Sequence, residues 1–128
     1  MRLDELVQRL PPFALALQAA PGATLDADAD LLAAALLNLL DNAQRHGART
    51  VHLAVGEHGR VLQLRDDGRG IEPARRAALA QALAEERYAD TGGLGLMLAD
   101  RVARAHGGRL RLPEVAAGFG ADLDLGPR

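Results

Sequence analysis

The stretch Leu31 to Gly47, LLAAALLNLLDNAQRHG, constrains the fold more than any other part of the chain. At 3.6 residues per turn, Leu32, Leu36, Leu39, Leu40 and Ala43 fall on one arc, which predicts a single long helix with one face seeking a core. Asn38 and Asn42 stand four apart and stack one turn above the other on a different face. Arg45 and His46 extend that polar strip. Water-facing helix positions usually carry Glu, Lys or Arg, because Asn competes with the helix by bonding nearby backbone. Either the two asparagines are tolerated in water, or they serve something the helix holds.

The core facing that helix has to be built almost without aromatic residues, which make up 2% of the 128 positions. Leu, Val and Ala must fill it, and a chain of this length can do so as one domain. A net charge of -2 gives no electrostatic footprint for nucleic acid or an anionic membrane. Without Cys there is no disulfide, thiolate metal site or Cys nucleophile. Every basic residue is Arg, so a Gly-Lys-Ser/Thr phosphate loop and the ion-pairing Lys of protein kinases are both excluded. Any phosphate must be held by backbone N–H groups, Arg or a metal. The four His residues show no HExxH or other paired spacing that supports a metal site.

Around the central helix the pattern alternates. Met1 to Leu10 carries Leu3, Leu6, Val7 and Leu10 as a short amphipathic helix, ended by Pro11-Pro12. Its apolar stripe is expected to lie against something outside this chain. Asp4, Glu5, Gln8 and Arg9 make it unlike a signal peptide, and no stretch is long enough to span a membrane. Phe13 to Gln18 reads as a strand with Phe13, Leu15 and Leu17 on one face. Pro21-Gly22 turns the chain, and Asp28 or Asp30 can cap the central helix. Thr50 to Val55 and Arg60 to Asp66 read as a hairpin across Gly56-Glu57-His58-Gly59. In its second strand, period two puts Asp66 on the apolar face with Leu62 and Leu64, where a carboxylate is costly unless partnered. A helix over 73–85 and a short polar segment over 86–92 come next. Gly93-Leu94-Gly95 then opens a helix to about His106, with Leu94, Leu98, Val102 and Ala105 near one face and Gly107-Gly108 as its stop. Arg109 to Leu112 and Ala121 to Leu125 close the pattern as strands. This order predicts an α/β two-layer sandwich with helices on one face of a mixed sheet.

Asn-Leu-Leu-Asp-Asn-Ala at 38–43, Asp-Asp-Gly-Arg-Gly-Ile at 66–71 and Gly-Gly-Leu-Gly-Leu at 92–96 resemble the N, G1 and G2 boxes of the GHKL (Bergerat-fold) ATPases. The match is to the ATP-binding catalytic domain of bacterial sensor histidine kinases, over nearly the whole chain from about Phe13 to Leu125. The resemblance implies a mixed, mostly antiparallel sheet with about three helices on one face. It makes residues 1–12 a connector from a missing upstream dimerisation and phosphoacceptor domain, and 13–128 the catalytic domain.

The same resemblance implies the site. Asp66 corresponds to the carboxylate that accepts a hydrogen bond from the adenine amino group. Gly68 and Gly70 would let the backbone pass close to the purine, and Ile71 completes that box. Asn42 corresponds to the Mg²⁺ ligand, with Asn38 one turn before it; an amide oxygen suits a hard cation that otherwise keeps phosphates and waters. Arg45 would neutralise phosphate. His46 would lie against the nucleotide or serve only as a surface imidazole at the helix end. Gly93, Leu94, Gly95 and Leu96 would present N–H groups to phosphate at a helix start. Tyr88 is either a lid residue touching the nucleotide or an exposed tyrosine. The sequence departs from the family at Thr91, where the G2 box has Gly. It also departs in the F box, whose phenylalanines are absent and whose nearest apolar residues are Leu79 and Leu83, and in the short lid between Ile71 and Gly93.

Position 38 separates the relatives. Topoisomerase-type, chaperone-type and mismatch-repair members, and the anti-sigma serine kinases, carry a general-base Glu there. Asn38 instead favours histidine phosphorylation, since an imidazole nucleophile already has a lone pair. None of His46, His52, His58 and His106 has the acidic neighbour of the family's phosphoacceptor, so no catalytic residue is assigned within this chain. The expectation is a kinase domain using ATP and Mg²⁺ in two-component signalling. Its partners would be its own upstream domain and a response-regulator receiver domain. It would be monomeric when isolated and cytoplasmic, without direct membrane contact, its parent anchored in the bacterial inner membrane. The alternatives are a stand-alone serine kinase of the anti-sigma type and a degenerate nucleotide-binding docking module.

Overall fold

A computed structural model describes residues 1–12, 14–91 and 96–127, the side chains of Glu57 and Thr91 excepted. Helix α1 (Leu3–Gln8) and strand β1 (Ala16–Ala19) precede the long helix α2 (Ala29–Arg45). Strands β2 (Thr50–Val55) and β3 (Val61–Asp66) follow, then α3 (Pro73–Ala84), α4 (Met97–Ala105), β4 (Arg109–Arg111) and β5 (Gly120–Asp124). The sheet order is β1-β2-β3-β5-β4, with β1 parallel to β2 and every other pairing antiparallel. This is the mixed, mostly antiparallel sheet expected. Strand β1 is shifted from its predicted span of Phe13 to Gln18: Ala14 and Leu15 form a bend, the strand runs to Ala19, and Phe13 lies outside the described residues. No helix among the described residues is long and apolar enough to cross a membrane.

Helix α2 forms where the periodicity put it because both its ends are chemically marked. Asp28 caps it, its carboxylate accepting from the Leu31 N–H at 3.0 Å. At the other end Gly47 takes φ +80°, and the Gly47 and Ala48 N–H groups donate back to the Gln44 and Ala43 carbonyls. That is a Schellman motif, which only glycine enters without steric cost. Leu32, Leu36, Leu39, Leu40 and Ala43 are all buried, as the arc required. Each leucine contributes roughly 1.5–3 kcal/mol by leaving water.

On the sheet's inner face the register lines up Leu110, Leu123, Leu62 and Val55 in one row, and Ala121, Leu64, Leu53 and Ala19 in the next. A third row runs Leu17, Val51, Asp66. A carboxylate therefore sits where the pattern calls for an apolar side chain. The opposite face is polar and laced by cross-strand ion pairs, Arg65–Asp122 at 2.8 Å and Arg111–Asp124 at 3.1 Å. The open edge of β4 is not left bare. Its Leu110 N–H donates to the Asp100 carboxylate, and the Leu112 carbonyl just beyond accepts from Arg76.

Two expectations are corrected. The apolar stripe of α1 does not await an outside surface, because Leu3 and Leu6 are fully buried and α1 packs on α2 of the same chain. The segment is tied in by Leu3 N–H donating to the Ala23 carbonyl and Leu25 N–H donating to the Met1 carbonyl. Helix α4 is also rotated from its predicted face. Its buried positions are Ala99, Asp100, Val102 and Ala103, while Leu98 is 44% exposed and Ala105 lies outward. Leu94, the other residue assigned to that face, lies outside the described residues.

Candidate functional site

Asp66 is the last residue of β3 and is 8% exposed. The ladder with β5 would next pair Asp66 with Phe119. The Asp66 N–H does donate to the Phe119 carbonyl, at 3.0 Å. The return bond is diverted, however: the Phe119 N–H donates to the Asp66 side-chain Oδ1 at 3.1 Å, and the Gly68 N–H donates to the same oxygen at 2.8 Å. Oδ1 is thus saturated, while Oδ2 makes no hydrogen bond among the described residues. Burial raises the carboxyl's pKa above its usual value, against the lowering effect of the Gly68 and Phe119 N–H groups; Asp67 adds repulsion and His46 a smaller attraction.

The neighbouring Asp67 has a different task. Its Oδ1 accepts from the Arg49 and Thr50 N–H groups at 2.7 and 2.9 Å, pinning the start of β2 to the end of β3. Those backbone donors hold its pKa below the usual value. Of two adjacent aspartates, Asp67 ties two strand ends together and Asp66 faces the cavity.

Asp66 lines a narrow cavity with Asn42, His46, Gly70, Ile71 and Phe119, of about 10 Å³. That is room for roughly one water. Asn42 is 6% exposed, and its carboxamide makes no hydrogen bond among the described residues. One turn earlier, Asn38 lines a separate and wider opening with Ala34, Leu37, Asp41 and Leu98, about 330 Å³. Its Oδ1 is buried with no partner among the described residues. Unpaired buried amide oxygens are costly, so this strip of α2 carries acceptor capacity that the fold itself leaves unused.

Other assigned residues are placed less directly. Arg45 does not line the cavity; it is exposed and pairs with Asp41 at 3.0 Å. Gly68 packs against the end of α2, where a Cβ would come within 3.0 Å of the His46 carbonyl oxygen. Gly70 has φ +71° and lies against the Gly118 carbonyl, so the close approaches at both glycines are to protein backbone. Leu96 is fully buried in the core. Gly93, Leu94 and Gly95 lie outside the described residues. Tyr88 is neither free in solvent nor in the cavity, because its hydroxyl donates to Asp100 at 2.6 Å and its ring packs on the core.

Sequence reasoning missed Phe119 and Arg69. Phe119 acts through its backbone N–H as much as through its ring, and only the Gly118-Phe119-Gly120 triplet before the closing strand hinted at it. Arg69 closes the end of α2, its guanidinium donating to the His46 and Arg45 carbonyls at 3.4 Å each.

In this α/β sandwich a buried acceptor at a strand end, Asp66, shares a cavity with the carboxamide of Asn42 on the adjoining helix. Residues 27–125 match the family described as Histidine kinase-, DNA gyrase B-, and HSP90-like ATPase, and the chain belongs to that family. It is 36% identical over 111 residues to the Sensor protein kinase CarS of Pseudomonas aeruginosa, covering 84% of this chain and 25% of that protein. It is 30% identical over 100 residues to the Sensor protein BasS of Escherichia coli, covering 74% of this chain and 27% of that protein. The chain therefore spans about a quarter of the length of these relatives. The ATP binding domain of PrrB from Mycobacterium tuberculosis shares the fold, with a TM-score of 0.68 at 24% identity over 98% of this chain and 88% of that one.

Proposed function

We propose that this chain is the ATP-binding catalytic domain of a sensor histidine kinase, passing the γ-phosphoryl group of ATP to a His on a dimerisation and phosphoacceptor domain of the same parent protein. The Asp66 carboxyl is the observation that carries this. With Oδ1 held by two backbone donors, Oδ2 is a fixed acceptor suited to the adenine amino group. Guanine presents a carbonyl there and would meet repulsion. The cavity is too small to take a base as it stands, so nucleotide entry displaces part of the wall formed by Ile71 and Phe119.

The unpaired carboxamide of Asn42 fits a hard cation, and Mg²⁺ held there would supply charge neutralisation at the phosphates. Arg45 is available to phosphate because an exposed pair such as Arg45–Asp41 is worth only about 0–1 kcal/mol and exchanges easily. Gly93 and Gly95 would add backbone N–H groups at the start of α4. Asn38 offers no carboxylate to activate water or a hydroxyl, which suits an imidazole acceptor and slow hydrolysis. In this reading the phosphoryl group passes on to a response-regulator receiver domain, and the domain works in the cytoplasm beneath a membrane-anchored sensor.

The test is phosphotransfer. Incubated alone with labelled ATP and Mg²⁺, the chain is expected to leave His46, His52, His58 and His106 unlabelled. In His106 both ring nitrogens are already engaged, by the Asp28 N–H and the Val102 carbonyl. Joined to its native upstream helical hairpin, it should label a single His there with an acid-labile, base-stable phosphate, faster than when the two are merely mixed. Acid-stable label on Ser or Thr would favour a serine kinase. Tight binding with no transfer, even when tethered, would leave a docking module.

A further inference from the structure

Among the described residues, the most completely satisfied buried charge lies outside the Asp66 cavity. Asp100 is fully buried in the first turn of α4. Its Oδ1 accepts from the Leu110 N–H of β4 at 2.9 Å. Its Oδ2 accepts from the Tyr88 hydroxyl at 2.6 Å and from Arg104 Nε at 2.8 Å. Arg104 in turn donates through Nη2 to the Leu83 carbonyl at 2.7 Å, in the last turn of α3. The Arg101 guanidinium sits over the Tyr88 ring, 5.4 Å from its centroid. One carboxylate thus gathers α4, the β4 edge, the end of α3 and the short 3₁₀ turn Tyr88–Thr91.

Desolvating a carboxylate this far is unfavourable, and it is tolerated only because donors from several elements meet it. A leucine would serve a merely structural position, and the apolar periodicity of α4 expected one near here. What the carboxylate adds is a directional hold on the α3–α4 connection. Arg104 fixes the connection where it leaves α3, and Tyr88 fixes it four residues beyond Ala84. The backbone around this hold is itself under strain, since Glu86 closes α3 at φ +55°, a conformation disfavoured for any residue with a Cβ. Burial, the Asp100 contact and its negative charge raise the Tyr88 phenol pKa above its usual value, so the hydroxyl stays protonated as donor at neutral pH.

We propose that Asp100 is a positioning residue for nucleotide, anchoring the Tyr88–Thr91 turn through the Tyr88 hydroxyl so that this turn is ordered before ATP arrives. This rests on the nucleotide reading above, in which the same connection runs on to Gly93 and Gly95. Conformational entropy lost in advance is not lost again on binding, so the anchor raises affinity without touching the ligand.

Tyr88→Phe removes one hydroxyl and leaves Asp100 two donors, so the fold should persist. Two measurements are made on the full chain: hydrogen exchange of amides 86–91 without nucleotide, and calorimetry with Mg-ATP and Mg-GTP. The variant is expected to exchange faster over 86–91 and to bind ATP about three- to tenfold more weakly, the scale of one ordinary hydrogen bond, at an unchanged preference for ATP over GTP. In Asp100→Asn, the emission of Tyr88, the sole tyrosine in a chain without tryptophan, should rise as the phenol leaves its carboxylate partner. Wild-type exchange in Tyr88→Phe would overturn the anchor. Faster exchange with unchanged ATP affinity would overturn its positioning role. Failure of the wild-type chain to bind ATP would instead overturn the nucleotide reading, a result the ligand-free exchange measurement keeps distinct.

Discussion

Asp66→Asn exchanges one carboxylate oxygen for an NH₂ group at the point where the side chain has two tasks. The new carbonyl oxygen can keep both backbone donors, Gly68 N–H at 2.8 Å and Phe119 N–H at 3.1 Å. The NH₂ group then takes the place of Oδ2 and turns a donor toward the adenine amino donor. Loss of a charge-assisted hydrogen bond costs about 1.5–3 kcal/mol, or roughly ten- to hundredfold in ATP affinity. The stability effect runs the other way. Burial raises the folded pKa of Asp66 above its unfolded value, so the charged form is disfavoured in the native state. That penalty is absent below the ordinary carboxylate pKa and sets in as pH rises through the window up to the raised folded value. At pH 7 the ligand-free variant is therefore expected to be as stable as the wild type or more so, the two converging in acid. Calorimetry with Mg-ATP and urea unfolding at pH 7 and in acid measure both arms. An affinity change under about twofold would remove the base from Asp66, and a stability loss above about 2 kcal/mol at pH 7 would mean that the charge serves the fold.

Asp67→Asn should do the reverse, leaving ATP affinity in place while lowering stability. The Arg49 and Thr50 N–H groups depress the Asp67 pKa, so its contribution is present above the unfolded pKa and lost as pH falls through the folded one. A thermal melt series from pH 7 downward should show the variant and wild type approaching each other in acid; a constant gap would contradict this. Asn42→Ala is expected to leave α2 intact, since Ala is the better helix former and the carboxamide has no partner to lose. Its ATP affinity should be the same in Mg²⁺ as in EDTA, and a retained Mg²⁺ dependence would place the metal elsewhere.

The parts of the fold legible in the sequence are those in which one residue type repeats at one period. Helix α2, the hairpin and the inward aim of Asp66 follow from spacing alone, because a half-buried element writes its buried face into every third or fourth, or every second, position. Helix α4 departs from its apolar periodicity because an inward position is held by Asp100, whose donors come from Tyr88 and Leu110 as well as its own helix. Periodicity reads such a carboxylate as solvent-facing and promotes Leu98 in its place. The stripe of α1 reads as outward-facing because its partner, α2, is separated from it in sequence by a strand and a turn. Phe119 escaped notice for a further reason: its N–H does part of the work, and every residue but proline has one.

Asp66 and Phe119 are 53 residues apart in sequence. As the chain leaves the ribosome, α2, β2 and β3 are complete while one donor to the Asp66 carboxylate has yet to be made. A chain halted before Gly118 would carry the N and G1 motifs but lack the Phe119 donor that helps fix the proposed acceptor. A ligand stabilises only the states that bind it. In the proposed reading ATP would therefore stabilise the finished domain more than a chain that lacks this donor.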